Sequence, residues 1–133
     1  MEKRVNYIPV VRSKEEKKVG VYCRVSTNDM KQLNSLTAQI SGLIRLVATV
    51  DTWRLVDVYI DIASGKSKAA RKGFVRMIEV GKQKKINIVI TKSLSRFGRD
   101  TVDTLEALKI LGESDVRIIF EQENLDSSKT AVS

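Results

Sequence analysis

INIVIT, residues 86–91, is a short and nearly continuous apolar run rich in β-branched residues. Such a run fits a strand buried on both faces of a parallel sheet. Working outward, Gly73 to about Gln83 places Phe74, Met77, Ile78 and Gly81 on one helical side. On the other flank, Thr101–Leu111 reads as a helix with Val102, Leu105, Leu108 and Leu111 in register. Asp100 stands at its start, and Gly112 is a candidate terminator. VRIIF (116–120) is a further strand, and LVDVYIDI (55–62) alternates like one. Leu36, Ile40, Leu43, Ile44 and Val47 recur at helical spacing from Ser35, a plausible N-cap, to about Val50. VGVYCRV (19–25) is the first strand.

Strands alternating with helices predict a single α/β domain. Its sheet should be mainly parallel, of four strands or five, flanked by helices. Residues 1–18 carry mixed charge without a period and read as a flexible lead-in. The domain is expected over 19–126, with a polar stretch after Asn124 that frays into a tail at 127–133.

At 133 residues the chain is long enough for one core, and 42% apolar with 30% charged residues is ordinary for a globular protein. No run approaches a membrane span, and the charged N-terminus does not resemble a secretory signal. Cys23 is the single cysteine, which excludes an internal disulfide and fits a cytoplasmic location. No histidine is present, so a Ser-His-Asp relay within the chain is excluded and no metal site is expected. Any nucleophile must be activated by carboxylates and arginines. Between Gly65 and Arg99 there are eleven Lys/Arg against one acidic residue, Glu79. From Asp100 to Ser133 there are three against eight. A basic middle and an acidic end suit either a polyanion-binding face or a solubilising lysine surface.

Three segments at the carboxyl ends of the expected strands carry candidate chemistry, where ligands of such sheets usually sit. In YCRVST (22–27), a two-residue period sends Arg24 and Ser26 to one side; Ser26 is a nucleophile there, or simply a turn cap. In KSLSRFGRD (92–100), Arg96 and Arg99 are three apart, with Phe97 to anchor the turn and Gly98 to allow close approach. Arginine's planar fork suits phosphate, although a solvated basic turn explains the pattern as well. In DIASG (61–65), Asp61 orients an arginine, accepts a proton or forms a turn; Arg71 follows as a phosphate ligand or a surface cation. Serine, arginines and a carboxylate on one rim suit phosphoryl transfer.

These motifs, in this order from Val19 to Asp126, resemble the catalytic domain of serine site-specific recombinases, the resolvase, invertase and large integrase group. YCRVST resembles the nucleophile motif, which implies Ser26 as nucleophile and Arg24 as its partner, with Tyr22 as the motif's aromatic. Gln39-Ile40 stands where the family has a glutamine in its first helix. DIASG, RKGF and LSRFGRD match the motifs that imply roles for Asp61 and Ser64, for Arg71, and for Arg96 and Arg99. Lys92, just ahead of the last motif, is carried as a supporting DNA contact. The resemblance implies cleavage and rejoining of double-stranded DNA through a 5′-phosphoserine link, without metal or nucleotide cofactor. It also implies dimers and tetramers of the full-length protein, in a bacterial, phage or transposon setting.

Ser95 stands where small resolvases have aspartate, which with Glu123-Asn124-Leu125-Asp126 resembles the large integrase and transposase subgroup. No pairing helix or DNA-reading domain is recognised up to Ser133, so a catalytic-domain fragment, inactive alone, is expected. Two alternatives are a non-catalytic basic nucleic-acid-binding α/β module and a flavodoxin-like phosphate-binding domain. The second lacks a Gly-rich phosphate loop.

Overall fold

The computed structural model describes residues 16–25, 30–62, 71–98 and 101–128. Within them the order is β1 (Lys17–Val25), α1 (Met30–Ala48), β2 (Trp53–Ile62), α2 (Lys72–Lys82) and β3 (Ile88–Thr91). Then come α3 (Leu94–Phe97), α4 (Thr101–Glu113), β4 (Arg117–Phe120) and β5 (Leu125–Asp126). The sheet runs β2-β1-β3-β4-β5, parallel except for the antiparallel β5. This is the expected α/β architecture, in its five-stranded form.

β3 is buried at all four positions because β1 and β4 flank it and both of its faces are covered. On one face, Leu36, Leu43 and Val47 of α1 pack on Val19, Val21, Cys23, Val25, Ile88 and Ile90. On the other, Met77 of α2 and Ala107 and Leu111 of α4 pack on Tyr22, Tyr59, Val89, Ile118 and Phe120. The alternation of each strand thus feeds two cores, and the connections alternate sides to cover both.

Several local expectations are corrected. α1 begins at Met30, so Ser35 lies inside the helix and is exposed rather than capping it. Its buried stripe includes Gln39, while Ile44 is 36% exposed. In α4, Val102 and Leu105 are exposed, although Leu111 is fully buried. A helix turns about 100° per residue, so nine residues of three-residue spacing rotate the stripe to the opposite side. Gly112 does not stop α4, which continues to Glu113; the left-handed turn falls at Asp115, with φ 61°. Lys84 does the same after α2, also with φ 61°.

Residues 125–128 are ordered, as β5 and the turn after it, instead of frayed; the rest of the expected tail, 129–133, lies outside the described residues. Arg117 Nη2 donates to Asp126 Oδ2 at 2.6 Å, and Ser127 exchanges two hydrogen bonds with Ile118. Partial burial alone would push the Asp126 carboxyl up, but the hydrogen bonds from Arg117 and Ser128 outweigh it and leave it below the usual carboxylate range. A carboxylate so depressed contributes stability above its unfolded value, near pH 4, and that contribution fades as pH falls through the folded value. Asp126→Asn is therefore expected to lower stability by about 1 kcal/mol at pH 7. Thermal unfolding should show the gap between the two proteins narrowing as pH falls below about 4.

Candidate active site

The chain leaves β1 for β2 on one side and returns to β3 on the other, so the sheet has its switch point between β1 and β3. The carboxyl ends of these two strands are where the candidate residues gather. Arg24 stands one residue before the end of β1, opposite Asp61 of β2. Arg96 lies in α3, the single turn that follows β3.

The two arginines hold each other's backbone. Arg24 donates from Nε to Arg96 O (3.2 Å) and from Nη2 to Ser95 O (2.8 Å). Arg96 Nη1 returns a bond to Arg24 O at 3.1 Å. Arg71 Nη2 donates to Phe97 O and, at 3.0 Å, to the Tyr22 hydroxyl. Three successive carbonyls of α3, those of Ser95, Arg96 and Phe97, thereby accept from two guanidinium groups. Carbonyls at a helix end have no partners within the helix and attract cations, which explains the choice of acceptors.

Asp61 organises the opposite side. Its carboxylate accepts from Tyr22 Oη (2.7 Å), Gly73 N (2.7 Å) and Phe74 N (2.9 Å). It therefore caps the first turn of α2 and reaches Arg71 through the tyrosine hydroxyl. A β-carbon at Gly73 would come within 2.8 Å of Ile60 O, so only glycine lets α2 start this close to β2. Desolvation, and then the hydrogen bond to Asp61, pushes the Tyr22 hydroxyl well above its ordinary value. Tyr22 is thus a neutral link between carboxylate and guanidinium. Burial likewise pushes the Cys23 thiol up to about 12, so it is not a nucleophile at neutral pH.

Aromatic rings support Arg71 and the α3 turn. Phe97 is fully buried and meets Phe74, Phe120 and Tyr22 edge to face at 5.2, 5.5 and 6.3 Å between centroids. The Arg71 guanidinium lies 3.8 Å from the centre of the Phe74 ring. At Gly98 a β-carbon would fall 1.9 Å from Thr104 Oγ1, so the close approach expected there is to α4.

Between α1 and the Lys92–Arg96 segment opens a polar cleft of about 270 Å³, lined by Ser35, Gln39, Lys92, Ser95, Arg96 and Gln122 among others. Lys92 also faces Glu121 at 3.7 Å. Gln39 Oε1 is buried without a hydrogen-bond partner among the described residues. Arg71, by contrast, lines the groove between α2 and α4, with Val75 and Ile110.

The structure brings Tyr22, Arg24, Asp61, Arg71 and Arg96 into one network and sets Gln39 and Lys92 on the adjoining cleft. Ser26, Ser64 and Arg99, and Asp100 as a cap, lie outside the described residues. Sequence reasoning passed over Ser93, whose hydroxyl accepts from Arg96 N at 3.3 Å and lies 3.1 Å from Ser95 Oγ. Serine ahead of a short turn was a legible N-cap signal. It also passed over Thr91, buried and bonded to Tyr22 O, and read Glu123, bonded to Leu94 N, only as part of the ENLD segment. Their partners are 69 and 29 residues away, so no local pattern marks them.

The family model described as Resolvase, N terminal domain matches residues 19–132. The chain belongs to that family. This resolvase domain is 31% identical, over 109 residues, to a Pseudomonas putida protein named resolvase/recombinase, covering 82% of this chain. The chain spans 54% of that relative's length. Among solved structures it is similar to a resolvase family site-specific recombinase from Streptococcus pneumoniae, with TM-score 0.74 and 35% identity over 86% of this chain and 78% of that one. The N-terminal catalytic domain of TP901-1 integrase gives TM-score 0.70 and 27% identity, over 86% and 84%. The C-terminal catalytic domain of ISC1926 TnpA, an IS607-like serine recombinase, gives 0.67 and 25%, over 78% and 70%. The fold and the recombinase likeness therefore agree with the resemblance drawn from the motifs. No helix among the described residues is long and apolar enough to cross a membrane.

Proposed function

We propose that this resolvase domain is the catalytic part of a site-specific recombinase that cuts and rejoins double-stranded DNA through Ser26. The supporting observation is the reciprocal Arg24–Arg96 clamp, which fixes two guanidinium groups at the end of β1, two residues ahead of Ser26 in the chain. In the proposed step Ser26 Oγ loses its proton and attacks a backbone phosphorus. The bond from phosphorus to the 3′-oxygen breaks, and that oxygen takes up a proton and departs as a 3′-hydroxyl. The DNA remains joined as a 5′-phosphoserine, so its phosphodiester energy is conserved for resealing by the reverse attack.

Arg24, Arg96 and Arg99 stabilise the charge on the non-bridging oxygens, and Arg71 adds positive charge while holding α3. Asp61 and Tyr22 orient Arg71, Ser64 supports the same rim, and Lys92 and Gln39 contact the flanking strand from the cleft. No step is routed through a metal or nucleotide. The partners in this reading are DNA and further copies of the protein, dimers or tetramers of the full-length recombinase acting in the cytoplasm. Ser95 and the ENLD segment favour the integrase and transposase subgroup.

The test is covalent trapping on a nicked duplex carrying the recombination site, using the full-length recombinase. Arg24→Ala is expected to lower adduct formation by about 100-fold or more while leaving DNA binding nearly intact, the range seen when one transition-state donor is removed. An unchanged rate, with only DNA affinity and its salt dependence altered, would favour a binding module without catalysis.

A further inference from the structure

The segment from Lys92 to Phe97 carries Arg96 and also the three carbonyls that hold Arg24 and Arg71. Whatever fixes this segment therefore fixes the arginines. Its leading end is gripped by the turn between β4 and β5. Glu121 N donates to Thr91 O (3.0 Å) and Gln122 N to Lys92 O (2.8 Å), extending the β3–β4 pairing past both strands. Asn124, with φ 56°, donates back to Glu121 O and closes the turn. Between them, Glu123 Oε1 accepts from Leu94 N at 3.2 Å.

Leu94 N is the first amide of α3 and has no acceptor within so short a helix. The Ser93 hydroxyl, the usual capping group, is engaged with Arg96 N. The acceptor for Leu94 N comes instead from an exposed glutamate 29 residues away.

We infer that Glu123 is a positioning residue for the site. By holding the first amide of α3 it sets the carbonyls of Ser95, Arg96 and Phe97, and through them the guanidinium groups of Arg24 and Arg71. This assignment takes the role of those arginines from the proposed DNA cleavage, but the positioning itself is measurable in this chain alone. It belongs to an acceptor oxygen and not to a negative charge, so glutamine at the position replaces it and alanine does not.

The test compares Glu123→Ala with Glu123→Gln in the 133-residue chain by NMR, reading hydrogen exchange at Leu94 N–H and Arg24 Nε–H. In the alanine variant both are expected to exchange about tenfold faster, as local opening of α3 becomes easier, while the glutamine variant stays within about twofold of the parent. In the full-length recombinase, Glu123→Ala should slow adduct formation at saturating DNA about tenfold, with an unchanged half-saturating DNA concentration and rescue by glutamine, because the reacting geometry alone is loosened. The inference is overturned if Glu123→Ala leaves both exchange rates at the parental value, or if glutamine behaves like alanine. It is equally overturned if the half-saturating DNA concentration rises while the saturated rate holds, which is the behaviour of a direct DNA contact. Should the parent protein form no adduct at all, the cleavage reading fails, and the exchange rates still decide the role of Glu123.

Discussion

Replacing Phe97 by alanine is expected to lower stability by about 3–5 kcal/mol, the range for deleting a fully buried phenylalanine ring. The ring is completely enclosed and meets Tyr22, Phe74 and Phe120 edge to face. Removing it takes away the hydrophobic transfer energy and leaves a hole whose walls belong to three different elements. Tyr22 is on β1, Phe74 on α2 and Phe120 on β4, so no single shift refills the space. For a domain of this size, with total stability of about 5–15 kcal/mol, such a loss consumes a large part of the reserve. Phe97→Leu keeps most of the volume and should cost about 1.5 kcal/mol or less. Urea unfolding monitored by circular dichroism separates these values. A Phe97→Ala midpoint close to the parental one would mean that the α3 turn is not anchored in the core.

The consequence reaches the site, because Phe97 also gives its carbonyl to Arg71 and lies next to the Arg96 carbonyl that holds Arg24. Packing and chemistry share this one turn. The side chain faces the core, the backbone oxygens face the arginines, and Arg96 returns its own guanidinium to Arg24 O. A short helix that spends its carboxyl-end carbonyls on cations is well suited to hold a cluster of positive charge close together. Mutual repulsion of the guanidinium groups is offset by these fixed dipoles.

Much of this was legible in the chain. The nearly continuous INIVIT run marked a central strand, realised over Ile88–Thr91, and the alternation of strands and helices set the parallel sheet. YCRVST, DIASG and LSRFGRD were expected on one rim, and Tyr22, Arg24, Asp61 and Arg96 converge there, while Ser26, Ser64 and Arg99 lie outside the described residues. The misreadings have physical causes. Val102 and Leu105 looked like core because a three-residue spacing mimics a helical stripe over one turn but drifts away over three. β5 was invisible because two residues carry no period, and its order comes from Arg117 and Ile118 pairing with Asp126 and Ser127. Gly112 drew the eye as a terminator, whereas Asp115 adopts the left-handed conformation.

The arginine network was beyond reach for another reason. Its acceptors are main-chain carbonyls, which every residue possesses, and the partners are 72 residues apart. Sequence identifies an arginine but not the oxygen it finds. Arg71 shows this most clearly: the motif places it in the site, while the fold stacks it on Phe74 and ties it to Tyr22 and Phe97.

In the proposed reaction Ser26 carries the DNA. The largest expected effect is complete loss of covalent DNA on Ser26→Ala, since no other hydroxyl replaces an aligned nucleophile. The loss should leave folding intact, because one oxygen is removed from the residue after Val25, which ends β1. The most direct measurement is mass spectrometry of peptides from the full-length recombinase after trapping on its nicked site and nuclease digestion. The expected result is a single nucleotide phosphate adduct on the peptide that contains Ser26, linked through the 5′-phosphate and missing from Ser26→Ala. An adduct on any other residue, or one that persists in Ser26→Ala, would contradict it.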